Sequence, residues 1–228
     1  MSAVDSARIE AAVAELILAI GEDPGRPGLE NTPQRVAEAY AEFFAGVGED
    51  AAQHLGDTFP VTDAEGSDIV QPVLLRGIAF RSVCEHHLLP FLGTASVAYV
   101  PGDRVVGLGK IPRVIDTLAA RPQVQERLAE QIADTLDAGL APRGVLVVLE
   151  AAHSCVTARG VRQAASTTVT VASRGVLAER AARAELMALI ASPSTPAPPS
   201  APPSGPATAA SPATAPTAAP DFPAAPPA

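Results

Sequence analysis

Four consecutive residues, Cys84, Glu85, His86 and His87, put a thiol, a carboxylate and two imidazoles into the stretch SVCEHHLLPF, 82–91. Their flanks are apolar (Val83, Leu88, Leu89 and Phe91), which is unusual company for so many ionisable groups. Cys84 and His87 have the Cys-x-x-His spacing that lets two side chains of a tight turn reach one zinc ion. Two such residues equally describe a buried cysteine beside a surface histidine pair, so the rest of the chain must decide. His153 and Cys155 supply a second half: as i and i+2 of one strand they face the same side. All four are then candidate zinc ligands. A structural site would use all four, whereas a catalytic one would use three and leave a position open for water. The imidazoles left over, His86 and His153, would then stand beside the metal as acid and base.

A second set of residues could hold an anion. Lys110 is the only lysine in a chain that otherwise uses arginine. It stands with Arg113 and Arg159 at turns or helix starts, and Arg35 lies in the first turn of another helix. An ammonium suits a phosphate oxygen, arginine supplies forked donors, and helix N-termini favour anions. On spacing alone Arg35 equally reads as a solvated side chain. Gln125 and Glu126 either face water in a first helical turn or read the N–H edge of a guanine.

The elements that must position these groups follow from periodicity. Residues 5–21 predict an amphipathic helix with Ile9, Val13, Leu16, Ile17 and Ile20 on one face and Asp5 as N-cap. A second helix opens at Thr32-Pro33, with Thr32 as the cap, buries Val36, Tyr40, Phe43 and Phe44, and stops at Gly46 to Gly48. From Val70 the pattern becomes extended, through QPVLLRGIAF into the Cys-His stretch and on to a strand over 93–101. The turn at Pro101-Gly102-Asp103 predicts a hairpin between that strand and 104–109. A short helix follows Lys110, with Pro112 in its first turn. A longer one runs from Arg121-Pro122 to about Leu140, with Val124, Leu128, Ile132, Leu136 and Leu140 as its buried stripe. Residues 143–156 and 166–173 read as strands joined by a turn at 159–160, and 178–190 as a closing helix bearing Leu186, Leu189 and Ile190. The fold class is α+β: an antiparallel sheet with helices packed on one face, preceded by an N-terminal helical pair.

Composition narrows the function. With 47% apolar residues, the 228-residue chain has ample core for one domain plus appendages. A formal net charge of -9 argues against nucleic acid as a partner, since that asks for a basic face. The N-terminus carries neither a basic n-region nor a long apolar run, which predicts no signal peptide, no membrane span and a cytoplasmic protein. Cys84 and Cys155 are the only cysteines, and without a secretory signal they read as reduced rather than disulfide-bonded. From Ser192 the chain is dominated by Pro, Ala, Ser and Thr, with Asp221 and Phe222 as exceptions, and predicts a disordered tail. The expected division is a helical region over 1–50, a catalytic domain over 51–191 and a tail over 192–228.

CEHHLLPF, GLGKIPR, RPQVQERL and HSCVTARG occur in that order, and together they resemble GTP cyclohydrolase I, a zinc enzyme of pteridine biosynthesis. The resemblance covers roughly residues 5–190 and rests on four motifs in register. It implies the tunnelling fold (T-fold), whose sheets close into barrels on oligomerisation, as a homodecamer with active sites between subunits. It further implies that Cys84, His87 and Cys155 hold zinc, whose activated water attacks C8 of the guanine ring of GTP. His153 would be the proton donor and acceptor for ring opening, with His86 assisting. Gln125 and Glu126, with the backbone near Val124, would hold the guanine. Lys110, Arg113 and Arg159 would bind the triphosphate, with Arg35 from a neighbouring subunit. The implied reaction turns GTP and water into 7,8-dihydroneopterin 3'-triphosphate and formate, the first step toward tetrahydrofolate and other pterins.

Two positions depart from the family pattern. Gly109 stands where serine usually precedes the phosphate lysine, and Thr94 where a lysine is usual. Two other readings stay open beside the main one. One is a diverged relative that stops at a ring-opened or otherwise altered product, and the other is a non-catalytic oligomer in which His153 completes a closed zinc site.

Overall fold

The computed structural model describes residues 4–61 and 71–193. Val70, at which the extended pattern begins, and the tail from 194 onward lie outside the described residues. In chain order the elements are α1 (Ser6–Ala19), α2 (Thr32–Phe43), a 3-10 turn (Ala51–Leu55), β1 (Thr58–Pro60), β2 (Val73–Cys84), β3 (Pro90–Val100), β4 (Arg104–Val106), α3 (Lys110–Ala119), β5 (Pro122–Gln123), α4 (Gln125–Leu140), β6 (Gly144–His153), α5 (Ser154–Thr157), β7 (Thr168–Gly175) and α6 (Arg180–Ala191).

Five strands form one sheet in the order β5-β2-β3-β6-β7, antiparallel except where the two-residue β5 runs parallel to β2. β3 and β6 are its long central pair, in unbroken register from Phe91 opposite His153 to Val100 opposite Gly144. Alternation sets the two faces. Val97 and Tyr99 of β3, with Val145, Val147 and Leu149 of β6, meet α3 and α4 in the main core. From α3 come Ile111, Val114, Ile115 and Leu118, and from α4 the stripe Leu128, Ile132, Leu136 and Leu140 at the expected i, i+4 spacing. β2 bends where the register shifts between Leu75 and Ile78, and Gly77 takes the positive φ of 68° that this bulge requires.

The structure corrects several expectations. The strand over 93–101 does not form a hairpin with the following segment. Its edges are taken by β2 and β6, so β4 pairs instead with β1, in a separate two-stranded sheet. Helices do not all lie on one face: Ala98 and Val100, whose side chains alternate with the core set, pack with Leu146, Val148, Leu177 and Leu186 in a smaller cluster under α6. Asn31 rather than Thr32 is the N-cap of α2, whereas Asp5 caps α1 as expected, accepting from the Arg8 amide. The apolar face of α1 is only partly covered, because within this chain the helix packs on α2: Ile17 is buried, but Leu16 and Ile20 are exposed.

No helix among the described residues is long and apolar enough to cross a membrane.

Candidate active site

The hairpin turn between β2 and β3 carries the Cys-His stretch. The Cys84 amide donates to the Leu89 carbonyl at 2.9 Å, and the Leu88 amide donates to the Cys84 carbonyl at 2.9 Å. Leu88 completes the reversal with a left-handed φ of 51°. Pro90 then opens β3, a strand-start position where its missing N–H does no harm. The turn is tied down from outside as well. The Glu85 amide donates to the Gln123 carbonyl at 3.0 Å. Its carboxylate accepts two bonds from Arg127 of α4, at 2.6 and 3.2 Å, and the guanidinium holds that carboxyl below the usual carboxylate range.

Cys155 arrives from the other side, and by a different geometry from the one periodicity suggests. β6 ends at His153, and Ser154 to Thr157 turn into a short helix, so His153 and Cys155 are not i and i+2 of one strand. The helical turn sends the thiol toward the hairpin while His153 stays with the sheet. Ligand atoms of Cys84, His87 and Cys155 lie within 4.8 Å of one another, with Cys84 buried, Cys155 half-buried and His87 exposed. Both cysteines are free thiols. Zinc at its usual bond lengths separates tetrahedral S and N ligands by about 3.4–3.8 Å, so a small contraction would close these three around an ion. Burial and the neighbouring Cys84 thiol push the Cys155 thiol up, with Arg159 opposing. That sulfur-rich corner suits a soft or borderline divalent cation that displaces the proton.

His153 stands outside this group. Its ring stacks on Phe91 at 4.5 Å and 7°, a contact set by the Phe91–His153 register of the central strand pair. Its Nε2 lies 2.7 Å from Oε1 of Gln125. Burial pulls its pKa down, and nearby Glu126 opposes the shift. His86 lies on the exposed side of the turn, with Nδ1 3.8 Å from the Cys84 sulfur.

The remaining candidates divide into two groups. Arg159 reaches the cluster, donating to Nε2 of His87 at 3.1 Å. Gln125 and Glu126 open α4 at the same end of the sheet, but in different environments. Glu126 is exposed, whereas Gln125 is buried and its amide is committed to the protein, so the solvated reading of Gln125 does not hold. Lys110 and Arg113 lie at the opposite end. β3 carries the chain about 26 Å from Phe91 to Tyr99, at about 3.3 Å per residue. Tyr99 receives a hydrogen bond from the Val106 amide near the start of α3. There Lys110 pairs with Asp57 at 2.7 Å, and Arg113 is exposed. Arg35 is exposed on the first turn of α2. The structure of one chain therefore brings Cys84, His87, Cys155, His86, His153, Gln125, Glu126 and Arg159 together, but not Lys110 or Arg113.

The Phe91–His153 stack and the Glu85–Arg127 pair are contacts beside the cluster that the sequence reading did not identify. Both lie inside the quoted motifs, but only the strand register and the approach of α4 reveal their contacts. A cavity of about 690 Å³ lies elsewhere, between α2, α3 and the β2–β3 pair, and shares no residue with the cluster.

Comparison with known proteins decides the family. Residues 9–191 match the sequence profile described as GTP cyclohydrolase I. This chain belongs to the GTP cyclohydrolase I family. A protein named GTP cyclohydrolase 1 from Leifsonia xyli subsp. xyli is 67% identical over 190 residues, spanning 83% of this chain and 97% of that relative. Those of the same name from Rhodopirellula baltica and Halalkalibacterium halodurans are 50% and 48% identical. They align over 82% and 83% of this chain and 80% and 99% of their own lengths.

Proposed function

We propose that this chain is a zinc-dependent GTP cyclohydrolase I, converting GTP and water into 7,8-dihydroneopterin 3'-triphosphate and formate. The observation that carries the mechanism is the division of labour at the end of the sheet. Three soft ligands converge, and the fourth candidate, His153, is held by Gln125 and Phe91 instead of joining them. That arrangement fits a catalytic site better than a closed structural one.

Cys84, His87 and Cys155 would hold the zinc, which when bound supplies the electrophilic assistance that lets water act as a nucleophile near neutral pH. His153 would exchange protons with the guanine ring as it opens. Burial favours its neutral form, which can accept a proton and return it. Exposed His86 would assist. Glu126, together with the backbone near Val124, would accept from the N–H edge of the guanine, with Gln125 forming the wall behind. Arg159, Lys110, Arg113 and Arg35 would bind the triphosphate.

The last assignment favours more than one subunit, because Lys110 is paired with Asp57 beside β4, toward the end of β3 away from the cluster of its own chain. We therefore infer a homo-oligomer with active sites between subunits, a decamer in which the sheets close into the barrel of the tunnelling fold. Two features of the sheet favour this. Among the described residues, β2 is paired on its outer edge at Val83 and Cys84 alone, and β7 has no outer partner. Long open edges invite strand addition from another copy.

The test is incubation of zinc-loaded protein with GTP, with products identified by mass and by pterin fluorescence after oxidation. Dihydroneopterin triphosphate with formate is expected, and a ring-opened product alone would identify a relative that stops early. His153→Ala should retain zinc and lose turnover, whereas Cys155→Ala should lose zinc. Zinc retained by the second variant would refute the ligand assignment.

A further inference from the structure

Gln125 is a glutamine in the first turn of a helix, yet it is 1% exposed. Its side chain reaches from α4 to the β6–β7 strand pair. There Nε2 donates to the Leu149 carbonyl at 3.1 Å and the Thr168 carbonyl at 2.9 Å, with the Thr170 hydroxyl at 3.2 Å. A carbonyl oxygen can only accept, so two of these three neighbours demand an N–H. Turning the amide over would set Oε1 lone pairs against both carbonyls and forfeit two hydrogen bonds in a buried place, a costly arrangement. The amide therefore has one orientation, with Oε1 facing His153.

That orientation fixes the histidine in turn. Oε1 has no hydrogen to give, so the 2.7 Å contact to Nε2 of His153 is a hydrogen bond only when Nε2 carries the proton. We propose that Gln125 locks neutral His153 in the Nε2–H tautomer and leaves the lone pair on Nδ1 as the only atom able to accept a proton. Among the described residues Nδ1 has no hydrogen-bond partner. Phe91, stacked 4.5 Å away, blocks rotation of the ring on one face. Gln125 is thus a positioning residue that acts through His153. In a buried network of this kind the second partner decides which ring nitrogen is basic. This inference rests on the reading of His153 as the proton-transfer group, but its own test does not.

Histidine-labelled protein, zinc-loaded and full length, contains four imidazoles, His54, His86, His87 and His153, so nitrogen NMR can assign each ring by comparison with a His153→Ala sample. For neutral His153 the protonated nitrogen should be Nε2, and its resonance should lack the averaged position of a tautomer mixture. An Nδ1–H ring or an even mixture would overturn the proposal. Gln125→Met keeps length and burial but offers no acceptor. It should release the tautomer, and kcat should fall about 10- to 100-fold. A mixed tautomer with undiminished kcat would sink the claim that the lock serves catalysis. Turnover surviving in His153→Ala, with the tautomer still fixed in the unaltered protein, would instead remove the role given to His153 and leave the lock standing.

Discussion

Replacing Gly93 by alanine should damage both the fold and the site, and its cost can be worked from the packing. Gly93 sits in β3 opposite Ala151, two residues beyond the Phe91–His153 pair. A Cβ built there would lie 2.0 Å from the Glu150 carbonyl oxygen, 2.6 Å from the Ala151 Cβ and 2.7 Å from the Ala151 Cα. Two of these are backbone atoms, so no side chain can swing away. The central strands would have to part by more than about 1 Å to restore ordinary contact. β3 is held on its other edge by β2, which must move with it. Overpacking of this kind costs about 1–3 kcal/mol, and stretching two adjacent ladder bonds adds about 1 kcal/mol each. The stiffer unfolded chain returns about 0.4–1 kcal/mol. The net loss is about 2–4 kcal/mol, or about 5–15 °C in Tm for a domain of this size. Gly109→Ala is the matched control: its Cβ meets nothing within 4 Å, and its φ of -69° suits any residue. Both variants should be melted at one protein concentration and one zinc concentration, since binding and assembly shift Tm. Gly93→Ala should melt well below Gly109→Ala and turn over GTP more slowly, because parting the strands carries Phe91 away from His153. Equal melting temperatures with undiminished turnover would refute the argument that the central strands leave no room for a Cβ here.

Two further outcomes follow from local chemistry. Asp116 lines the cavity beside α3; the residue is exposed overall, but partial burial of its carboxyl raises the pKa against the opposing charges of Arg81 and His54. A folded pKa above the unfolded one means that ionisation weakens the fold at neutral pH, and that the penalty disappears as pH falls below the unfolded value. Asp116→Asn should therefore raise Tm slightly at pH 7 and leave it unchanged at pH 3; an Asn variant less stable at pH 7 would reverse the sign. Gly109→Ser restores the hydroxyl of the family pattern beside Lys110, in open space. KM for GTP should fall about 3- to 10-fold, the worth of about one added hydrogen bond, and an unchanged KM would mean that no substrate oxygen reaches this position.

What the sequence made legible, and what it hid, divides along the reach of each contact. The stripe of α4 was readable because helical burial repeats every three to four residues, whichever neighbour covers it. The Cys-His-Cys cluster was readable because its residue types are rare and closely spaced. Its geometry was not, since the choice between strand and helical turn after His153 depends on tertiary contacts that periodicity does not carry. β4 was misassigned for a related reason. The turn at Pro101-Gly102-Asp103 is real, but local turn signals cannot tell that β6 already occupies the free edge of β3. Gln125 was the deepest concealment. A glutamine at the start of a helix looks solvated by every local rule, and only the approach of α4 to the β6–β7 pair turns it into a buried clamp. Lys110 shows the limit in the other direction. As the sole lysine it draws attention in the sequence, yet in the folded chain it pairs with Asp57, away from the cluster. If it serves the same reaction, that reaction belongs to an assembly, and the open edges of β2 and β7 are where a second chain would join.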